Sequence, residues 1–364
     1  METTALSPLI TGNETARTLA FTWSPDESRY VSQPFPVESH SFYLASIWAN
    51  NPAPELYAVR FFNREGGELP SDSYGQLDGA SGGALHHTPF QARRLSTHAR
   101  IDVCGTEREL SAPRAQVREL DREETLGYMD EGYAALPPLD AGFYPPAPER
   151  FRYMPRTLAR LRAGSVGRHL RVVLLGDSVA NDTGNSLFHL LIERQFPGAR
   201  IDMETSVRGG GGCLYYRDPA ALRQNILNFQ PELVLIGGIS HGNSVEAIAA
   251  VIEATRDAIP AAEFLVTNGG IRSHGMTQEV WAEPGEKVAS ADADAHRREL
   301  RDFAAKMAAA APDLNAAFLD TYAAWDRYIA GCGRDARWYQ RDYVHANDRG
   351  RIILGRSMAG FFAK

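Results

Sequence analysis

Three residues in this chain have the types and spacing of an acyl-transfer relay. Ser178 follows directly on a strongly apolar run, Arg171 to Leu175, that breaks at Gly176-Asp177-Ser178. His345 lies near the C-terminus, and Asp342 stands three positions before it in the segment Asp342-Tyr343-Val344-His345. A serine hydroxyl attacks a carbonyl only when a neighbouring base takes its proton. An imidazole is that base, and a carboxylate on its other ring nitrogen fixes the tautomer and stabilises the imidazolium that forms. The reaction also needs N–H donors for the oxyanion. The backbone of Ser178 supplies one, and the run Gly209-Gly210-Gly211-Gly212 supplies another, because glycine lets backbone approach a substrate closely.

The block GDSVAND at Gly176 to Asp182, the glycine run and the DYVH block, in this order, resemble the GDSL/SGNH hydrolase superfamily of esterases and lipases over roughly residues 168 to 364. The chain is also similar to a subset in which a β-rich, carbohydrate-binding-like domain precedes the hydrolase domain, many of them acetylesterases acting on sugars. The resemblance implies Ser178 as nucleophile, Asp342 as acid and His345 as base. With strand register it points to Gly212 as the second oxyanion donor and Gly211 as the next choice. Where the family reads Gly-x-Asn-Asp, this chain has Gly237-Gly238-Ile239-Ser240-His241, so the expected asparagine is missing; either Ser240, His241, Asn243 or, more remotely, Asn268 replaces it, or the hole has only two donors. Asp177, Asn181 and Asp182 are expected to hold the turn through local backbone bonds.

The elements that must position these residues read as α/β. Apolar runs at Arg171–Leu175, Ile201–Val207, Leu233–Ile236, Phe264–Thr267 and Ala317–Leu319 alternate with helical periods, such as Leu187, Leu191 and Val245, Ile248, Ile252. That alternation predicts a three-layer α/β/α domain around a parallel five-stranded sheet, a flavodoxin-like arrangement that places a strand-end serine where open sheets put their chemistry. A last helix is predicted to start at Asn347 or Asp348, within a turn of His345.

The first third reads differently. Phe42 to Trp48, Leu56 to Phe62 and Ala99 to Cys104 are short aromatic and β-branched runs, and Asn63-Arg64-Glu65-Gly66-Gly67 reads as a hairpin turn. An all-β sandwich or jelly roll is expected over residues 1–135. A proline-dense linker follows at 136–150, with Leu139, Phe143 and Tyr144 able to pack, and the catalytic domain occupies 151–364. Tyr215, His241 and Trp338 are the candidate substrate contacts, since aromatic rings stack on the C–H faces of sugars. The aperiodic stretch from Ile271 to Asp294 is read as a lid.

Composition closes off other classes. Over 364 residues the formal net charge is −7 and the two signs are interspersed, so no nucleic-acid or anionic-membrane partner is expected. No window approaches the ~20 apolar residues of a membrane span, and no basic start precedes a long apolar core; the chain as written reads as cytoplasmic, or as periplasmic or secreted if a signal has been removed. Cys104, Cys213 and Cys332 are too scattered for a disulfide framework or zinc cluster. His86-His87 and the trio Asp292, Asp294, His296 lack ligand spacing, and no nucleotide fingerprint is completed, so no metal or cofactor is expected.

The expected activity is removal of O-acetyl groups from an oligo- or polysaccharide by a Ser-His-Asp acyl-enzyme mechanism. A lipid or thioester hydrolase, and a carbohydrate-binding protein with an impaired hydrolase domain, are the alternatives. The β domain could bind glycan, shape the cleft or mediate oligomer contacts.

Overall fold

The computed structural model describes residues 16–49, 55–77, 84–104, 113–139, 141–164, 168–238, 242–269 and 291–364. Among the described residues ten strands come first: β1 (Arg17–Leu19), β2 (Phe21–Ser24), β3 (Arg29–Ser32), β4 (Phe35–Pro36), β5 (Phe42–Ala49), β6 (Glu55–Phe62), β7 (Ser73–Leu77), β8 (Ala84–Gln91), β9 (His98–Cys104) and β10 (Arg114–Leu120). They pair antiparallel in two sheets, β1-β10-β5-β8 and β2-β3-β9-β6-β7, with β4 added to β9. Successive strand residues point to opposite faces. Tyr43, Ala45 and Ile47 of β5 therefore meet Val59, Phe61 and Ile101 of the other sheet in a sandwich core.

The other face of β5 is buried too. Phe42 and Leu44 point away from that core and pack with Leu190 and Leu191, which belong to the α/β part of the chain. The sandwich is thus one wall of a second core.

Helix α1 (Arg122–Ala134) lies inside the segment read from sequence as β. Asp121 and Glu124 form a capping box at its start, a D-x-x-E signal that was present to be read. Its apolar side is thin, with only Thr125 and Met129 buried, so periodicity gave no helical pattern. The proline-dense segment packs against the end of the chain. Tyr144 donates its hydroxyl to the Ser357 carbonyl at 2.8 Å, and Arg150 donates to the carbonyls of Gly360 and Ala363, each at 2.8 Å.

Beyond α2 (Ala147–Arg150) and α3 (Pro155–Ala163), five strands form a wholly parallel sheet: β11 (Leu170–Gly176), β12 (Ile201–Val207), β13 (Leu233–Ile236), β14 (Glu263–Thr267) and β15 (Ala317–Leu319). Their order is β12-β11-β13-β14-β15. Helices α4 (Ser178–Asn185), α5 (Phe188–Gln195), α6 (Gly212–Tyr216), α7 (Pro219–Asn225), α8 (Val245–Ala258), α9 (Ala291–Ala310), α10 (Thr321–Cys332) and α11 (Asp348–Phe361) surround it. Val172 and Leu174 of β11 pack on Phe188 and Ile192 of α5 and Met358 of α11. Val173 and Leu175 face the opposite way, onto Ile248 and Val251 of α8 and Met307 of α9. This is the expected three-layer architecture behind an antiparallel sandwich. Among the described residues no helix is long and apolar enough to cross a membrane. Of the stretch Ile271 to Asp294 that was read as a lid, residues 271–290 lie outside the described residues, as does His241, and 291–294 form the first turn of α9.

Candidate active site

The chain runs to β12 on one side of β11 and to β13 on the other, so the C-terminal end of β11 is the switch point of the sheet. Ser178 is the first residue of α4 at that point. Asp177 caps the helix. Its Oδ1 accepts the N–H groups of Val179 at 2.9 Å and Ala180 at 3.4 Å, which leaves the Ser178 N–H outside the cap. Gly238, at the end of β13, has φ +101°, and a Cβ there would fall 2.3 Å from Asp177 Oδ1. Glycine at this position is what lets the cap and the neighbouring strand end sit side by side.

His345 and Asp342 share a tight loop before α11. Asp342 Oδ1 accepts the N–H groups of Val344 and His345, both at 2.8 Å, so the three-residue spacing is that of a side-chain-closed turn. Asp342 Oδ2 is thereby directed at His345 Nδ1, 2.7 Å away, and His345 Nε2 lies 2.7 Å from Ser178 Oγ. Burial on its own would raise the Asp342 carboxyl, but the bond and charge of His345 and the Val344 N–H outweigh it and hold the group below the usual carboxylate range. With the Nδ1 proton held by Asp342, Nε2 is the nitrogen free to accept from the serine.

Gly212 is buried and opens α6 with φ +51°, a left-handed conformation natural to glycine. As a first helical residue it keeps an N–H without an intrahelical partner. The Gly211 N–H is instead spent on the Arg208 carbonyl at 2.9 Å. Asn268 is also committed, donating to Asp320 Oδ1 at 2.7 Å and accepting the Tyr322 N–H at 3.2 Å.

Among the aromatic candidates, Tyr215 is 38% exposed, with the Arg208 guanidinium 5.6 Å from its ring centre. Trp338 carries two guanidinium groups, Arg349 at 4.6 Å and Arg334 at 5.3 Å, and meets Tyr339 edge-on. Tyr216 and Tyr339 are core residues, each 1% exposed.

The partners of Asn181 and Asp182 correct the expectation of local bonds. Asn181 donates to the Asp72 carbonyl, and its Oδ1 accepts from Arg93 of the sandwich side at 3.3 Å. Asn185 shares both partners. Asp182 Oδ1 accepts from Arg341 at 2.9 Å and its Oδ2 accepts the Ala346 N–H at 3.1 Å. Arg341 and Arg93 are the side chains supporting α4 that motif reading missed. The first stands next to Asp342 in the sequence, but nothing local marks the second.

No protein-family model matches this chain, and no curated protein matches it. Solved structures similar to it include a catalytic mutant of an acetylxylan esterase from Geobacillus stearothermophilus, at 16% identity and TM-score 0.42, covering 55% of this chain and 97% of that one. Another is a two-domain esterase active on acetylated mannans, co-crystallized with mannopentaose, at 13% identity and TM-score 0.40, covering 58% of this chain and 52% of that one. The periplasmic domain of a lipopolysaccharide acetyltransferase from Salmonella ser. Paratyphi A is similar at 14% identity and TM-score 0.37, over 57% of this chain and 94% of that one.

Proposed function

We propose that the chain is a serine esterase that removes O-acetyl groups from a carbohydrate. The observation that carries this reading is the continuous relay from Asp342 Oδ2 through His345 to Ser178 Oγ, with both contacts at 2.7 Å. Ser178 Oγ attacks the ester carbonyl carbon as its proton passes to His345 Nε2. The N–H groups of Ser178 and Gly212 receive the oxyanion. When the tetrahedral intermediate collapses, the C–O bond to the sugar breaks and His345 returns the proton to the departing alkoxide. Water, giving a proton to His345, then attacks the acyl carbon; the C–Oγ bond breaks, His345 returns the proton to Ser178 Oγ, and acetate leaves. Asp342 stays ionised and stabilises the imidazolium at each stage. The carbohydrate half of the reading is supported by the sequence resemblance to acetylesterases with a leading β domain and by the partly exposed Tyr215 beside the glycine run.

Acetate release from a chromogenic acetyl ester and from acetylated xylo- and gluco-oligosaccharides, by native protein and by Ser178→Ala, tests the proposal. Turnover by the native protein that falls at least ~1000-fold in the variant, with the fold intact by circular dichroism, is the expected result. Equal activity in both would sink the assignment of Ser178. A preference for octanoyl over acetyl esters would replace the sugar acetylester with a lipid or thioester.

A further inference from the structure

Strand β12 is the edge of the parallel sheet, so the N–H groups along it face alternately into the sheet and out of it. At its end the Arg208 N–H turns inward to the Gly176 carbonyl, 2.9 Å away, and the Val207 N–H turns outward. Ser71 Oγ accepts it at 3.2 Å, from the segment that leads into β7 of the sandwich. Val207 and Ser71 are both buried, so water does not compete for this bond. The glycine run that ends in Gly212 begins two residues after Val207.

The residue after Ser71 holds the nucleophile's helix. The Asp72 carbonyl accepts the side-chain amides of Asn181 at 2.6 Å and Asn185 at 3.1 Å. Positions three and seven after Ser178 share its face of α4, so the side of the helix that carries the nucleophile is the side tied to the sandwich. Arg93 donates to the carbonyls of Ser71 at 3.1 Å and Asp72 at 3.3 Å and to the amide oxygens of both asparagines, which fixes the segment against the helix. Farther along β7, the Gln76 amide oxygen accepts from Asn347 at 3.3 Å, the cap of α11 two residues after His345.

We infer that Ser71 is a positioning residue that sets the width of the oxyanion hole. Two consecutive residues of the sandwich, Ser71 and Asp72, hold the two elements whose N–H groups, at Gly212 and Ser178, receive the oxyanion in the mechanism proposed above, and the inference rests on that mechanism. It gives the sandwich a part in the transition state. Two donors stabilise the developing charge only when both are aimed at the place the oxyanion will occupy, and a shift of ~1 Å in such a site costs up to ~100-fold in rate. Without the Ser71 hydroxyl the Val207 N–H is buried and unpaired, and the end of β12 shifts to satisfy it.

Steady-state kinetics on a chromogenic acetyl ester and titration with butylboronic acid, for native protein and Ser71→Ala, test it. Addition of Ser178 Oγ to boron gives a tetrahedral anion, with an oxygen where the oxyanion would lie. In Ser71→Ala, kcat is expected to fall ~10- to 100-fold with KM within ~3-fold of native. Boronate affinity should fall by the same factor as kcat, with one site per chain retained. A merely structural role would lower the number of sites and the melting temperature, and leave the affinity of the remaining sites at the native value. That result, or full kcat in Ser71→Ala, would overturn the inference alone. Native protein that neither releases acetate nor binds the boronate would overturn the esterase reading and the inference with it.

Discussion

Asp182 and Arg341 meet at 2.9 Å with side chains 0% and 7% exposed, tying the helix that begins at Ser178 to the loop that carries His345. Asp182 lies four residues after Ser178, one turn along α4. Through Arg341 and the Ala346 N–H it grips the residues on both flanks of the Asp342–His345 turn. Arg341 closes the arrangement by donating to the Ala346 carbonyl. The Ser178–His345 distance is thereby set from both sides by one carboxylate.

Asp182→Asn therefore separates positioning from chemistry. The substitution leaves Arg341 buried without its counter-charge, which costs ~3–5 kcal/mol of stability. At temperatures well below unfolding, kcat for acetyl ester is expected to fall about 10- to 100-fold with KM little changed, because binding groups stay in place while Ser178 and His345 drift apart. Replacing Arg341 with Met in the same chain should recover part of the stability, a coupling that a double-mutant cycle measures. Additive losses would mean that the pair does not act as a unit.

Asp342→Asn probes the relay itself. The amide oxygen still accepts the Val344 and His345 N–H groups, so the turn survives, but an amide aimed at Nδ1 favours the wrong tautomer. A kcat loss of about 1000- to 10,000-fold with near-native melting is expected. In the native protein the depressed Asp342 carboxyl contributes stability above its unfolded pKa of ~3.9, lost only as pH falls through its lower folded value. Mild acidification should consequently leave the Asp342 carboxylate ionised. An additional ionisation in kcat/KM between pH 4 and 5 that disappears in Asp342→Asn would contradict this.

What the sequence disclosed follows from how far apart the interacting residues lie. Asp342 and His345 close a turn within three positions, and Asn347 caps α11 through bonds to Arg349 and Gly350, so both were legible. The parallel strands were legible because burial on both faces makes them continuous apolar runs, and Ile201–Val207 and Leu233–Ile236 have the expected limits. Strand β8 was not, since His86, His87 and Pro89 carry no β pattern and owe their conformation to pairing with β5. Arg93 reaches Asn181 across 88 residues and Asp182 reaches Arg341 across 159, and no local pattern announces such contacts.

The depth of that long-range packing gives a prediction about the sandwich. Arg93 is buried, and desolvation pushes its guanidinium pKa down to about 10, yet it holds the Ser71 carbonyl at 3.1 Å and the Asn181 amide oxygen. Arg93→Met strands several buried acceptors, at ~1–3 kcal/mol each. It should lower the denaturant midpoint of the entire chain in one transition. Deleting the strands before α1 should leave an insoluble product, because Leu190 and Leu191 lose the Phe42 and Leu44 that cover them. A soluble, active fragment would show instead that the two parts fold separately.

Glu204 on β12 offers a test of buried charge. Burial raises its carboxyl to about 7, and Arg94 and Arg93 lower it only in part, with Arg94 Nε 3.8 Å away. A carboxyl whose folded pKa exceeds its unfolded value of about 4.5 binds more protons in the native state across that window. Stability therefore falls as pH rises from ~4.5 to ~7, at no more than ~1.4 kcal/mol per pH unit and by ~3 to 4 kcal/mol at most. Glu204→Gln removes the titration while keeping the shape. The variant should match the native protein near pH 5 and exceed its urea midpoint at pH 8, where native Glu204 is an ionised group in a desolvated site. A native protein that gains stability over the variant between pH 5 and 8 would show that Arg94 pairs with the carboxylate strongly enough to reverse the sign.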